Sequence, residues 1–257
     1  MDAIAGRVAL VTGAGRGIGR ATALALARGG ADVAVCARTV PEIEAVAAEV
    51  AALGRRTHFL PLDVTDRAGI QRTVAAVTAA LGPIDILVNN AGLHRSGPVQ
   101  RLADAEWDAV LAVNLTAPML LCRACLPHMY ERGFGRIVNV ASVAGKVGLK
   151  NDSAYSASKH GLIGFTRSLA LEAARKGVTV NAVCPSWTET RMMDESIEAI
   201  ALRTGRLEAE IRAALLKDNP LGRAALPEEV ADVVVFLVRS AVITGQSVHV
   251  DGGEVMV

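Results

Sequence analysis

Short apolar runs of strand length recur along this chain with helical stretches between them, and that alternation restricts the fold more than any other feature. Residues 7–12 (RVALVT), 32–37 (DVAVCA), 57–62, 84–89 (IDILVN), 136–140 (RIVNV), 178–184 (VTVNAVC) and 247–250 read as strands. Helices are expected over 17–29, 41–53, 66–81, 106–130, 154–175 and 227–238. Pro41 opens the second helix and Gly54 lies just past its end, the usual asymmetry of helix termini. Strands joined by crossover helices pair in parallel, and right-handed crossovers cover both faces of the sheet. We therefore expect an α/β fold with a doubly wound, seven-stranded parallel sheet. After the sixth strand the rhythm breaks. Residues 188–217 are polar and helical, and read as a substrate-side insert near one end of the sheet. No repeat or low-complexity linker divides the chain, so residues 1–257 are expected to form a single domain.

Composition narrows the reading. Hydrophobic residues make up 51% of the chain but aromatic ones only 3%, so Ala, Val, Leu and Ile must fill the core, as suits a sheet buried on both faces. The formal net charge is +1 with no long basic stripe, which argues against nucleic acid or an anionic membrane as partner. No stretch of about 18 apolar residues lacks charge or glycine, so no membrane span is expected. The start, MDAIAGRVALVTG, leads straight into a strand without the features of a targeting segment. Cys36, Cys122, Cys125 and Cys184 are too few and too irregular for a disulfide framework, which points to a cytoplasmic protein. Cys122 and Cys125 form a C-x-x-C in mid-helix, where buried packing is expected and no metal site is.

The first strand ends in Thr12-Gly13-Ala14-Gly15-Arg16-Gly17-Ile18-Gly19. A strand–turn–helix of this kind lets the backbone of Gly13, Gly17 and Gly19 approach a pyrophosphate, and Ile18 opens the helix whose free N–H groups face the anion. The fold is thus a Rossmann-type dinucleotide-binding one. At the end of the second strand, Cys36-Ala37-Arg38 lacks the acidic residue that accepts from the ribose 2′-OH of NAD. Arg16 and Arg38 would instead pair with a 2′-phosphate, so NADP(H) is the expected cofactor and NAD(H) the second choice. Asp63 and Val64 fall where an adenine ring would lie, and Asn89-Asn90-Ala91-Gly92 brings small and polar groups near the cofactor.

Ser142, Tyr155 and Lys159 carry the expected chemistry. Tyr155 and Lys159 are four apart on a helix and share one face; Ser142 follows the fifth strand directly. A ketone that accepts hydride must be protonated on oxygen, and a phenol beside an ammonium can do this. Lys159 can also hold the nicotinamide ribose, and Ser142 the substrate oxygen. Asn114 interrupts an apolar helical stretch and could hold a water in a relay to Lys159, or merely satisfy a helix carbonyl.

With these motifs in order, the sequence resembles the short-chain dehydrogenase/reductase family over about residues 6–253. The resemblance implies Asn114, Ser142, Tyr155 and Lys159 as a catalytic tetrad. It also implies cofactor contacts from Asn90, Ala91, Gly92, Tyr155, Lys159, Pro185, Thr188 and Thr190, and a homotetramer built partly on the long fourth and fifth helices. One departure is Ser186 after Pro185, where the family often has glycine. The strings CAR, YSASKHG and NAVCP look like 3-oxoacyl and polyketide ketoreductases, which suggests a β-keto substrate.

The small-molecule ketone or secondary alcohol is expected between Ser142, Tyr155 and the insert, against His94, Val143, Leu149, Trp187, Met192 and Met193. Met and Trp there suit a hydrophobic or cyclic ketone, unless they pack on the insert's own helices. Lys146, Lys150, Arg95 and Arg191 are either solvated or turned toward an acidic or carrier group. Two other readings stand beside the NADPH-dependent ketoreductase: an NAD-dependent secondary-alcohol dehydrogenase working oxidatively, and a non-catalytic nucleotide-binding scaffold, which would not need Tyr155 beside Lys159.

Overall fold

The structure is a computed structural model that describes residues 3–257. Its strands are β1 (Val8–Thr12), β2 (Asp32–Ala37), β3 (Thr57–Pro61), β4 (Ile86–Asn89), β5 (Gly135–Val140), β6 (Val178–Pro185) and β7 (Ser247–Val250). They form one parallel sheet in the order β3-β2-β1-β4-β5-β6-β7. The strand order reverses between β1 and β4, whose register pairs Val11 with Val88. Open α/β sheets bind ligands beyond the carboxyl ends of strands at such a switch point.

The two faces have separate cores. On one, α1 (Gly17–Arg28), α2 (Val40–Ala52) and α9 (Pro227–Arg239) pack Leu26, Ile43, Val234 and Leu237 against Val11 and Val35. On the other, α3 (Arg67–Leu81), α5 (Ala117–Glu131) and α6 (Ser153–Ala173) pack Ile70, Leu121, Met129 and Leu169 against Leu10, Leu87 and Ile137. Both faces of β1 are dry, and its five residues are all buried. This is the doubly covered sheet that the unalternating strand sequences called for.

Element ends differ from expectation in instructive places. β4 starts at Ile86, two residues late, because Asp85 faces other partners. Its carboxylate, 2% exposed, accepts from the Val8 N–H at 3.1 Å and pairs with Arg7 and Arg132, both at 3.3 Å. The helix expected over 106–130 is α4 (Asp104–Leu111), a π-helical turn (Ala112–Thr116) and α5 in one run. A π turn inserts one residue into the ladder and is common at functional sites. Here it carries Asn114. The run Asp104–Glu131 is long and apolar enough to cross a membrane by length and composition, which the sequence criterion had excluded. Within the fold it is a core helix, with Leu121, Cys122, Cys125 and Met129 buried against the sheet side. Burial pushes the Cys122 thiol up to about 12, so it stays neutral and behaves as a small hydrophobe.

Residues 188–217 hold α7 (Arg191–Thr204) and α8 (Glu208–Leu216), with a single parallel bridge between Thr188 and Ala225. They have a core of their own: Met193, Ile197, Ile211 and Ala224, with Trp187 packed against it.

Candidate active site

The turn after β1 is built for close approach. Gly13 and Gly17 lie at φ 62° and 53°, a region that favours glycine. A Cβ on Gly19 would stand 2.3 Å from the Gly13 carbonyl oxygen and 2.5 Å from Asn90 Nδ2, so only glycine fits there. Asn90 Nδ2 donates to the Thr12 and Gly13 carbonyls at 2.9 and 3.0 Å. The Thr12 hydroxyl accepts from the N–H groups of Asn90 and Ala91, both at 3.0 Å. Asn90 and Ala91 thus brace the turn from β4. Ile18 packs on the first core and fixes the start of α1. Opposite lies the loop after β6, where the Thr190 methyl is 3.0 Å from the Cβ position of Gly17. Pro185 ends β6 and is buried, as is Thr188 on that loop, and Thr188 and Thr190 tie its backbone through the Ser186 and Thr188 carbonyls, both at 3.1 Å.

At the adenosine end, Arg38 is exposed just past β2. Arg16 is exposed too, but its Nη1 is 3.2 Å from Glu42 Oε1 on the first turn of α2. Two open guanidinium groups were expected; one of them already has a carboxylate. Asp63 accepts from the Thr65 N–H at 2.9 Å and hydroxyl at 2.8 Å. These bonds, with a smaller pull from Arg38, hold its carboxyl below the usual range. Val64 is buried beside it.

The catalytic candidates gather at the carboxyl ends of β4 and β5. Ser142 follows β5 in extended conformation and its Oγ caps a 3₁₀ turn, Val143–Gly145, accepting from Ala144 N at 3.1 Å. Tyr155 lies on the first turn of α6. Burial pushes its phenol up to about 12, and a hydrogen bond with the Ser142 side chain pulls it partly back. Lys159, 4% exposed, donates from Nζ to the Val140 carbonyl at 2.8 Å and stands 5.6 Å from the Tyr155 ring centroid. Burial lowers its ammonium to about 8. The expected lowering of the phenol by Lys159 is therefore not the dominant effect: removal from water comes first.

Asn114 is 1% exposed. Its Oδ1 accepts from the Leu93 N–H at 2.8 Å, and its Nδ2 donates to the Leu93 carbonyl at 2.9 Å and to Ser158 Oγ at 3.0 Å. Ser158 in turn donates to the Tyr155 carbonyl at 2.7 Å. Both amide hydrogens of Asn114 are committed to protein groups, so this side chain braces the loop after β4 against α6.

The model of the family described as short chain dehydrogenase matches residues 7–201. The chain belongs to the short-chain dehydrogenase family. This dehydrogenase is 40% identical to the 3-oxoacyl-[acyl-carrier-protein] reductase FabG of Escherichia coli (strain K12), over 98% of each chain. It is 42% identical to the short-chain reductase protein NovJ of Streptomyces niveus, over 96% of this chain and 93% of that one. Among solved structures it superposes on a variant actinorhodin polyketide ketoreductase with NADPH at a TM-score of 0.93, with 41% identity, over 96% and 97% of the two chains. The dehydrogenase is thus an oxidoreductase whose relatives are ketoreductases.

The substrate-side candidates separate. His94 meets Tyr155 edge-on, ring centroids 4.8 Å apart. Met192 is 40% exposed and its Cε lies 3.9 Å from the Cβ position of Gly92, beside Asn114. Val143 is buried and Leu149 partly so, on the segment between β5 and α6. Met193, 2% exposed, belongs to the insert's own core and is no cleft wall, whereas Trp187 packs against that core and is only partly buried. Ser186, the departure from the family pattern, donates to the Glu254 carboxylate and so ties the loop after β6 to the C-terminal tail. Sequence reasoning missed Glu42, Ser158, Asp152 and Ser196, whose partners lie 26, 44, 58 and 102 residues away. No local spacing signals such pairs.

Proposed function

We propose that this dehydrogenase is an NADPH-dependent ketoreductase that acts on a β-keto or cyclic ketone, with Tyr155 as the proton donor. The observation that carries the reading is the state of the phenol. Burial with Ser142 beside it keeps Tyr155 protonated throughout the neutral range, which is the form needed to protonate a nascent alkoxide. Alcohol oxidation would need the phenolate, which this burial disfavours.

The residues present suit a dinucleotide. Gly19 lets α1 start hard against the Gly13 carbonyl, left-handed Gly13 and Gly17 turn the chain there, and the first N–H groups of α1 carry no side-chain cap, as suits an anion at that helix end. Gly13, Gly17, Ile18 and Gly19 would hold the pyrophosphate, Arg38 and Arg16 the 2′-phosphate, and Asp63 and Val64 the adenine. Ala91, Gly92, Pro185, Thr188 and Thr190 would flank the nicotinamide half. When bound, the reduced cofactor supplies hydride to the carbonyl carbon. Ser142 holds the carbonyl oxygen, and Tyr155 gives that oxygen its phenolic proton. Lys159 places a positive charge near the phenolate left behind, and reprotonation from solvent restores the phenol. Residues 188–217 form the outer wall of the substrate cleft, with Met192 facing it.

The relatives support the substrate class: several are 3-oxoacyl-[acyl-carrier-protein] reductases, and the solved neighbour is a polyketide ketoreductase with NADPH. The test is NADPH oxidation with ethyl acetoacetate and a cyclic ketone, set against NADH with the same substrates. Turnover faster with NADH than with NADPH would count against the reading.

Lys159 also predicts the pH profile. Its ammonium is present below about 8 and is lost as pH rises through that value, while Tyr155 at about 12 stays protonated. The quotient kcat/KM for NADPH, which reports groups of the free enzyme, should therefore fall as pH rises past about 8. A quotient that stays flat up to pH about 10 would contradict the assignment.

A further inference from the structure

His94 sits where three elements meet. Its Nε2 is 3.2 Å from Asp152 Oδ1, just ahead of α6, and its Nδ1 is 3.3 Å from Ser196 Oγ on α7. Its ring stands at 83° to that of Tyr155. Ser196 Oγ also lies 2.7 Å from the Met192 carbonyl, which accepts from it. One imidazole thus bridges Ser196 and the Asp152 carboxylate, and a hydrogen bond to a carboxylate is stronger than one between neutral groups. The His94 and Asp152 side chains are only 15% and 11% exposed, so water competes weakly for this bond.

The insert needs such a tie. Its apolar core joins α7 to α8 and to Ala224, and no member of that core comes from α6. The hydrogen bonds of His94 link α7 to the segment just ahead of the catalytic helix.

We propose that Asp152, His94 and Ser196 form a latch that seats α7 on α6, with His94 as the positioning residue between the cleft wall and Tyr155. The latch rests on the reading of Tyr155 as proton donor. With the latch closed, Met192 and the rest of α7 stand at a fixed distance from the reacting carbonyl. With it broken, α7 is free to move outward and the ketone is held less well, while proton transfer within a seated complex is unchanged.

Ser196→Ala removes that hydroxyl and touches neither Tyr155 nor the glycine turn after β1. In the full-length enzyme, with NADPH and ethyl acetoacetate as probe, its KM for the ketone should rise about 5- to 10-fold, the size of one ordinary hydrogen bond. Its kcat should stay within about twofold, and its affinity for NADPH should be unchanged. Ser196→Thr, which keeps the hydroxyl, should restore the parent KM. His94→Phe keeps a ring edge against Tyr155 but makes neither hydrogen bond, and should match Ser196→Ala in KM. A parent-like KM in either Ser196→Ala or His94→Phe would overturn the latch, as would a loss confined to kcat. Tyr155→Phe measured alongside judges the proton donor separately. Surviving turnover there removes that reading, whereas KM in the Ser196 pair speaks only to the latch.

Discussion

Tyr155→Phe should reduce turnover of ethyl acetoacetate by about a hundredfold to ten-thousandfold, because general acid catalysis contributes roughly 10²–10⁴ in rate. The phenol is the group that burial keeps protonated, and the Ser142 hydroxyl is its immediate partner. Lys159 cannot substitute, since its Nζ is turned to the Val140 carbonyl at 2.8 Å. The exchange removes one oxygen and leaves the ring, so the edge-on contact with His94 survives and the fold should too. NADPH affinity, followed by cofactor fluorescence, should stay near that of the parent. That pairing of lost turnover with retained binding is what separates a proton donor from a residue that merely supports the fold. A variant that still turns over at a tenth of the parent rate would remove Tyr155 from the mechanism.

The second large effect is on cofactor choice. Arg38→Asp should lower the preference for NADPH over NADH by about 10- to 100-fold, the worth of one charge-assisted contact to phosphate at roughly 1.5–3 kcal/mol. The structure raises the weight on this residue. Arg16, the other candidate, is held by Glu42 at 3.2 Å, whereas Arg38 is exposed at the end of β2 and takes part in no ion pair among the described residues. An aspartate there would repel a 2′-phosphate and could accept from a 2′-hydroxyl. The ratio of kcat/KM for the two reduced cofactors is the measurement, at fixed ionic strength because exposed charges are screened by salt. An unchanged ratio would mean that the 2′-phosphate is read elsewhere.

What could be read beforehand followed physical range. The sheet was legible because burial on both faces leaves runs such as VALVT with no polar alternation, and because glycine at 13, 17 and 19 answers a steric demand within one turn. The tyrosine and lysine were legible because four residues on a helix is one face. The π turn was not legible: AVNLT has the same apolar spacing whether the ladder closes at four residues or five. The start of β4 was misread because Asp85 lies between Ile84 and Ile86, and its ion pairs come from residues remote in sequence. Met193 and Met192 are adjacent and chemically the same. Only the packing of α7 on α8 decides that one is 2% exposed and the other 40%. Glu42 and the partners of His94 belong to the same class of contact, made by tertiary approach and invisible to any local pattern.

The bracing of the first turn by Asn90 bears on kinetics. The Thr12 and Gly13 carbonyls and the Thr12 hydroxyl are bonded within the protein itself, at 2.9–3.0 Å. The entropy of ordering that loop is consequently lost when the chain folds and not when the dinucleotide arrives. Association should then resemble rigid docking, with little backbone rearrangement at the pyrophosphate. Differences in affinity among cofactor analogues should accordingly show up mainly as differences in how slowly they leave.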